Sequence, residues 1–304
     1  MSIDVNLLRP LRVLLEERSV SRAAERMHTS QPSMSAALSR LRQHFGDELL
    51  RRVGNSYELT PLAERLLETS LAAVRSVDRV FAAQADFDPR TTQREFVLVG
   101  TDYSMATFGE ALSATLLAEA PGVSIRFEQV SAALVSGAPE SLRDVDGILH
   151  PHGYLTGMNH LDLFSDRWVC VVSQTNQRVG ETLTLDDLAE LRWVMPFGAA
   201  AQLTPPARQL QLLGIEPRVD VTVPSFLAVP SLVAGTDRVA FLQESYARST
   251  AAGGRMRVLE CPFEVVPFVE TFWWNPVFDR EPEHRWLRLK LAEAAARTGL
   301  PAPR

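Results

Sequence analysis

At 304 residues, with 46% hydrophobic and 22% charged side chains, the chain has an ordinary globular composition and the length of two or three folding units. No apolar run approaches the ~18–20 residues that cross a bilayer, and the opening MSIDVNLLRP lacks the basic start, apolar centre and cleavage site of an export signal, so a cytoplasmic protein with no membrane contact is expected. The net charge of −6 argues against a protein coated in nucleic acid, but residues 1–60 carry nine arginines against seven acids, a basic head suited to local contact with a polyanion.

Apolar residues at helical spacing (Val5, Leu8, Leu11, Leu14, Leu15) predict a first helix over 4–17. ERSVS breaks it, and Ser19 or Ser21 is placed to cap a second helix near 21–27, whose Ala23 and Ala24 let a neighbour approach closely. After the turn HTS, a third helix runs from Gln31 to Phe45, with Pro32 in its first turn, where a missing N–H costs nothing. Gly46 ends it. On a helical wheel Met34, Leu38, Leu41 and Phe45 share a core face, while Pro32, Ala36, Ser39, Gln43 and Arg40 point away and Ser33 and Ser35 flank them. Such a slim polar face fits a ~12 Å major groove, and two helices with a short turn predict a helix-turn-helix.

LLRRVGNSYELT (49–60) reads as two short strands around Gly54–Asn55, a wing carrying Arg51 and Arg52. From Pro61 a long helix follows to residue 84. Its apolar positions Leu62, Leu66, Ala73, Val77 and Val80 form a seam long enough to pair with a second copy. ADFDPRTTQ (85–93) is a linker. Beyond it strand patterns at 95–101, 123–130, 145–150, 167–173, 192–196, 218–223, 238–242 and 266–274 alternate with helical patterns at 104–119, 202–213, 225–234, 243–249 and 282–298. That alternation predicts an α/β body with mostly parallel sheets. Cys170 and Cys261 lie in apolar stretches and are expected to be buried thiols.

The run SVSRAAERMHTSQPSMSAALSRLRQHFGDELLRR…YELTP resembles the winged helix-turn-helix of LysR-type transcriptional regulators, and thinner likeness continues through VPSFLAVPSLVAGTDRVAFL, closest to the branch of nodulation and aromatic-degradation regulators. The resemblance implies a multi-domain α/β protein: an all-α winged helix-turn-helix DNA-binding domain (1–60), a linker and dimerisation helix with a hinge (61–90), and a two-lobed effector domain like a periplasmic binding protein (91–304). One lobe is placed at 91–162 plus 268–304 and the other at 163–267. It further implies binding of double-stranded DNA at a pseudo-palindromic operator, a homodimer or homotetramer, contact with RNA polymerase, and control by a small effector. Carried over residue by residue, Gln31, Ser33, Ser35 and Arg40 lie near bases or phosphates, Pro32 and Ala36 enter the groove, and Arg51 and Arg52 meet phosphates. Ala36 stands where many members carry arginine, so a thymine methyl is the most it can touch.

In two-lobed folds ligands bind beside strand ends and helix N-termini. Those positions here nominate Thr101, Tyr103, Ser104, His150, Phe197, Phe226 and Trp273 as cleft residues, an aromatic and neutral set that predicts an apolar or aromatic effector. His150 and His152 form an H-x-H pair, but no nearby cysteine or acidic cluster completes a four-ligand site, so neither a metal nor a cofactor is expected. No G-x-S-x-G, phosphate-binding glycine loop or H-E-x-x-H is present, which speaks against an enzyme. A solute-binding protein is the alternative to a regulator, disfavoured by the DNA-binding head.

Overall fold

The computed structural model describes residues 4–54, 56–82, 87–197 and 204–303. The chain divides into two units, Met1–Ala85 and Asp86–Arg304.

In the first unit α1 (Leu8–Glu17), α2 (Val20–Arg26) and α3 (Gln31–Phe45) precede a hairpin of β1 (Leu50–Val53) and β2 (Ser56–Leu59), and α4 (Pro61–Ala82) follows. Each boundary has a local cause. Arg18 turns into the left-handed region after α1, and Ser19 then caps α2, its hydroxyl accepting from the Arg22 N–H. Ser30 caps α3 by accepting from the Ser33 N–H at 3.3 Å, and Gly46, at φ 64°, closes it, a conformation that costs glycine little. The core gathers Leu11, Leu14 and Leu15 from α1, Ala23 and Ala24 from α2, and Met34, Ala37, Leu38 and Leu41 from α3. The two alanines leave no bulk between α2 and α3. Arg42, on the last turn of α3, donates to the carbonyls of Glu48 (2.7 Å) and Leu50 (2.9 Å), fixing the hairpin to the helix.

The second unit contains, in chain order, β3 (Glu95–Gly100), α5 (Asp102–Glu119), β4 (Ser124–Gln129), α6 (Ala132–Ser136), β5 (Gly147–Leu149), β6 (Asn159–Asp166), β7 (Trp168–Ser173) and α7 (Leu185–Glu190). Then come β8 (Arg192–Pro196), α8 (Pro205–Leu212), β9 (Arg218–Val223), α9 (Val229–Val233), β10 (Arg238–Gln243), α10 (Glu244–Ala251), β11 (Met256–Leu259), β12 (Phe268–Trp274) and α11 (Pro282–Arg297). One five-stranded sheet has the order β4-β3-β5-β12-β6 and the other β11-β7-β10-β8-β9. The chain passes between them at Asp166–Arg167 and returns between β11 and β12. β6 and β11 are strands the sequence pattern leaves unassigned. The sheets are mixed rather than mostly parallel: β12 runs against β5 and β6, and β7 against β10 and β11. The antiparallel pairs arise where strands enter a sheet from the other one instead of through a helical crossover.

Every residue of β7 is buried, which explains its unbroken apolar run WVCVV. In β3 the two faces part company: Phe96 and Leu98 pack with Leu112 and Leu291 of α5 and α11, while Val97 and Val99 join Val135, Leu142 and Trp273. Cys170 is buried as expected, whereas Cys261 is only partly so, and both thiols are free. α11 is held by polar contacts that would be costly unpaired. Arg94 reaches Asp146 at 2.6 Å together with Glu281 and Glu283, and the Asp146 carboxylate also accepts the Val97 N–H at 2.7 Å. His284 donates through Nε2 to the Asp146 carbonyl at 2.7 Å, and burial lowers its pKa to about 4, so it packs as a neutral ring against Phe278.

Gly147 marks the tightest point of the first sheet. A Cβ at this position would fall 2.3 and 2.4 Å from two carbons of the Phe272 ring and 2.6 Å from the Trp273 carbonyl oxygen. Gly147→Ala should therefore cost about 1–3 kcal/mol of stability through overpacking. A thermal melt of the full chain checks this, and an unchanged midpoint would contradict the packing.

Candidate functional site

On α3 the outward face predicted from the wheel is open. Gln31, Pro32, Ser33, Ser35, Ala36, Ser39, Arg40 and Gln43 are all exposed, whereas Met34, Ala37, Leu38 and Leu41 are buried. The Ser33 hydroxyl lies 2.8 Å from that of Ser30, so the capping residue also orients it. Arg40 pairs loosely with Asp4 at 3.5 Å. On the wing Arg51 faces Glu58 across the hairpin at 3.6 Å, and Arg52 Nε donates to the Gly54 carbonyl at 3.2 Å. Both arginines are exposed. Pairs so solvated are weak and leave the guanidinium groups able to exchange partners. The start of α3 thus exposes the Ser33 and Ser35 hydroxyls and the Gln31 amide.

On α4, Leu62, Leu66, Ala73 and Val77 are partly buried, and the side chain of Val80 lies outside the described residues. Leu66 and Ala73 line an apolar groove of about 240 Å³ with Leu8, Leu11 and Phe45.

In the second unit a cavity of about 120 Å³ lies between the two sheets. Five of the predicted cleft residues line it: Thr101, Tyr103, His150, Phe197 and Phe226. Thr101 caps α5 by accepting from the Ser104 N–H at 3.2 Å. Tyr103 donates to Asp166 at 2.7 Å, and burial, with the Asp166 charge, pushes its pKa far up. Burial lowers the pKa of His150, whose ring meets Tyr154 edge-on at 4.6 Å. Phe197 and Phe226 contact each other with ring centroids 5.1 Å apart. Residues 198–203, which include part of the predicted strand end PFGAA, lie outside the described residues.

Ser104 and Trp273 do not line the cavity. Ser104 is buried beneath it and donates to Glu270 at 2.7 Å. Trp273 belongs to the other face of its sheet and donates through Nε1 to the His150 carbonyl at 2.8 Å. The sequence missed Trp168, Gln243, Phe268 and Glu270, which also line the cavity. For Glu270 a signal existed: it is the one acid inside the apolar strand FVETFWW. Burial raises its pKa to about 7, the Ser104 hydrogen bond opposing and the Asp166 charge adding to the shift. Among the described residues no arginine or lysine lines the cavity. Asp102, at the start of α5, accepts from the N–H groups of Phe226 (3.1 Å) and Leu227 (3.0 Å) and from Ser225, binding the two lobes across the cleft. No helix among the described residues is long and apolar enough to cross a membrane.

Comparison with known proteins agrees with both halves. Residues 5–64 match the bacterial regulatory helix-turn-helix model of the lysR family, and residues 90–296 the LysR substrate binding domain. Nodulation protein D 2 of Rhizobium tropici is 31% identical over 99% of this chain and 96% of its own length, and nodulation protein D 1 of the same organism 32% over 99% and 97%. A probable transcriptional regulator from Pseudomonas aeruginosa superposes with a TM-score of 0.74 at 30% identity, covering 99% of this chain and 98% of that one. Full-length CbnR complexed with its target DNA shares the fold, with a TM-score of 0.65 at 18% identity over 98% of this chain and 100% of that one. The chain belongs to the LysR family and is a LysR-type transcriptional regulator, with a helix-turn-helix DNA-binding unit and an effector-binding unit.

Proposed function

We propose that this cytoplasmic regulator binds a pseudo-palindromic operator as a homodimer or homotetramer, reads it with α3 and the wing, and answers a small neutral aromatic effector held between the lobes. The observation that carries the effector assignment is the cavity wall: aromatic rings, a buried carboxyl group at Glu270, and no cation among the described lining residues. An anion would find no bidentate arginine there and would meet Glu270. A neutral ring gains apolar burial and can hydrogen-bond to Glu270 through one polar group. The described walls enclose room for roughly one aromatic ring.

On the DNA side, the shared fold of CbnR, which was captured with its target DNA, and the exposed polar face of α3 support reading by α3 here. Gln31, Ser33, Ser35 and Arg40 then approach base edges or phosphates, Pro32 and Ala36 pack into the groove, and Arg51 and Arg52 meet the backbone. The apolar seam of Leu62, Leu66, Ala73, Val77 and Val80 pairs two subunits, and the bound regulator contacts RNA polymerase. A genome-wide map of bound sites, followed by thermal-shift screening of neutral aromatic compounds against dicarboxylates, tests the reading. Discrete paired half-sites and stabilisation by the aromatic set are expected. Absence of discrete sites, or preferential stabilisation by dicarboxylates, would overturn it.

Arg52→Ala should weaken binding to all DNA sequences alike and reduce the slope of log K against log salt by about 1. Titrations at several salt concentrations measure this, and an unchanged slope would remove Arg52 from the phosphate contacts. Glu270 gives a pH signature. Its folded pKa, about 7, lies above the ordinary 4.5, so between those values the folded chain keeps a proton that the unfolded chain releases. Stability from this group is full below pH 4.5 and is lost as pH rises through 7, about 3 kcal/mol in all. Glu270→Gln should flatten that part of the stability–pH curve, and parallel curves for the two proteins would refute the assignment.

A further inference from the structure

Outside the cavity, β6 and the loop after β5 bring three metal-ligating side chains together on the surface. His152 Nε2 lies 2.7 Å from Asp162 Oδ1, and one potential ligand atom from each of His152, His160 and Asp162 lies within 4.8 Å of the others. We propose that these three residues form a binding site for a late first-row divalent metal ion, with zinc the best fit.

The donor set is two imidazoles and one carboxylate, which suits zinc and its neighbours and not the all-oxygen preference of magnesium or calcium. Three protein ligands leave a coordination position for water, as in open zinc sites. The supporting contacts orient each ligand. His160 Nδ1 faces the Met158 carbonyl at 3.3 Å; a carbonyl only accepts, so Nδ1 carries the proton and the Nε2 lone pair is free. The Thr271 hydroxyl donates to Asp162 Oδ1 at 2.9 Å. Both histidine rings pack against Trp273, with centroids 5.0 and 4.7 Å away, and Trp273 is itself buried and tied to the His150 carbonyl. Rings braced in this way lose little freedom on binding. Ligand atoms around zinc, at about 2.0–2.2 Å from the ion, lie roughly 3.3 Å apart. Exposed side chains reach that spacing by shifting on the order of an ångström. The metal takes the place of the proton shared by His152 Nε2 and Asp162, and the His152 ring adopts its Nδ1–H tautomer. An ion here ties the segment after β5 to β6, immediately beyond His150 and Pro151 of the cavity wall.

The test is calorimetric titration of tag-free, EDTA-treated full-length protein with zinc chloride, with thermal melts alongside. One ion per chain, a rise in melting temperature and no response to magnesium are expected. His152→Gln, His160→Gln and Asp162→Asn should each weaken binding at least about tenfold, while His44→Gln, on an exposed histidine of the DNA-binding unit, should leave it unchanged. Because the three ligands are exposed, their variants should fold, which their circular dichroism would verify. Absence of stoichiometric zinc uptake by the wild type, or uptake undiminished in all three ligand variants, would overturn the site.

Discussion

The effector unit depends on one buried carboxylate, Asp166, at the point where the chain leaves one sheet for the other. It is 7% exposed, and a charge so placed is tolerated only when its lone pairs are filled. They are: Tyr103 and Ser245 donate hydroxyl hydrogens at 2.7 and 2.6 Å, and the N–H of Arg167 adds a third at 2.7 Å. Tyr103 stands on α5, against the first sheet, and Ser245 on α10, against the second. The carboxylate therefore fastens the two lobes at the crossing strands themselves, and Asp102 repeats the device across the cleft at Phe226 and Leu227. The cavity walls are held from behind by these bonds, so its aromatic lining need not contribute to holding the lobes. Glu270, on the adjoining crossing strand, is the carboxyl group left facing the cavity with a single side-chain donor, Ser104.

The DNA-binding unit works under a different constraint, since it has only a small core. Its order comes from caps and close contacts: serine hydroxyls at the starts of α2 and α3, glycine at the end of α3, and alanines where α2 meets α3. Each cap contributes on the order of 1 kcal/mol, a large share in a core of this size. The serine that starts α3 lies beside the exposed face proposed to meet DNA. Ser30 joins the two roles, since it caps α3 and hydrogen-bonds Ser33.

Most of this unit was legible in the sequence because its information is local. Helical spacing, capping serines, Pro32 and Gly46 specify α2 and α3 within a residue or two and the end of α1, whose α-helical start lies at Leu8 rather than near residue 4, and the exposure of Gln31, Ser35, Ala36 and Arg40 follows from the wheel. In the effector unit the alternating pattern located the parallel strands and the strand ends that reach the cavity, such as Thr101, Phe197 and Phe226. β6 escaped because only Arg167 separates it from β7, and no turn residue announces the break. Trp168, Gln243, Phe268 and Glu270 escaped for a related reason. They belong to strands at or beside the crossings, whose side chains face the cavity from the antiparallel parts of the sheets. Trp273 lies an odd number of positions from Glu270, so strand alternation sets it on the face of β12 opposite to Phe272 and Trp274, a distinction that grouping the aromatic residues of ETFWWNP as one wall did not make.

The two histidines of H-x-H show how far chain spacing alone can carry such an argument. On a continuous strand His150 and His152 would share a face. β5 ends at Leu149, so both lie in the loop beyond it and their side chains part. His150 is buried at the cavity wall, where desolvation favours its neutral form. His152 is exposed and meets Asp162, while burial and hydrogen bonding act oppositely on that carboxyl group: burial raises its pKa, but His152 and Thr271 outweigh it and leave the value lowered. Neighbours in sequence offered His152 no carboxylate, whereas the adjoining strand offers one together with a second imidazole. The pairing of β6 with β12 sets His160 beside Trp273 and Asp162 beside Thr271, so each ligand on the strand has its supporting residue directly across the ladder. Sheet register, which sequence spacing does not reveal, assembles the cluster.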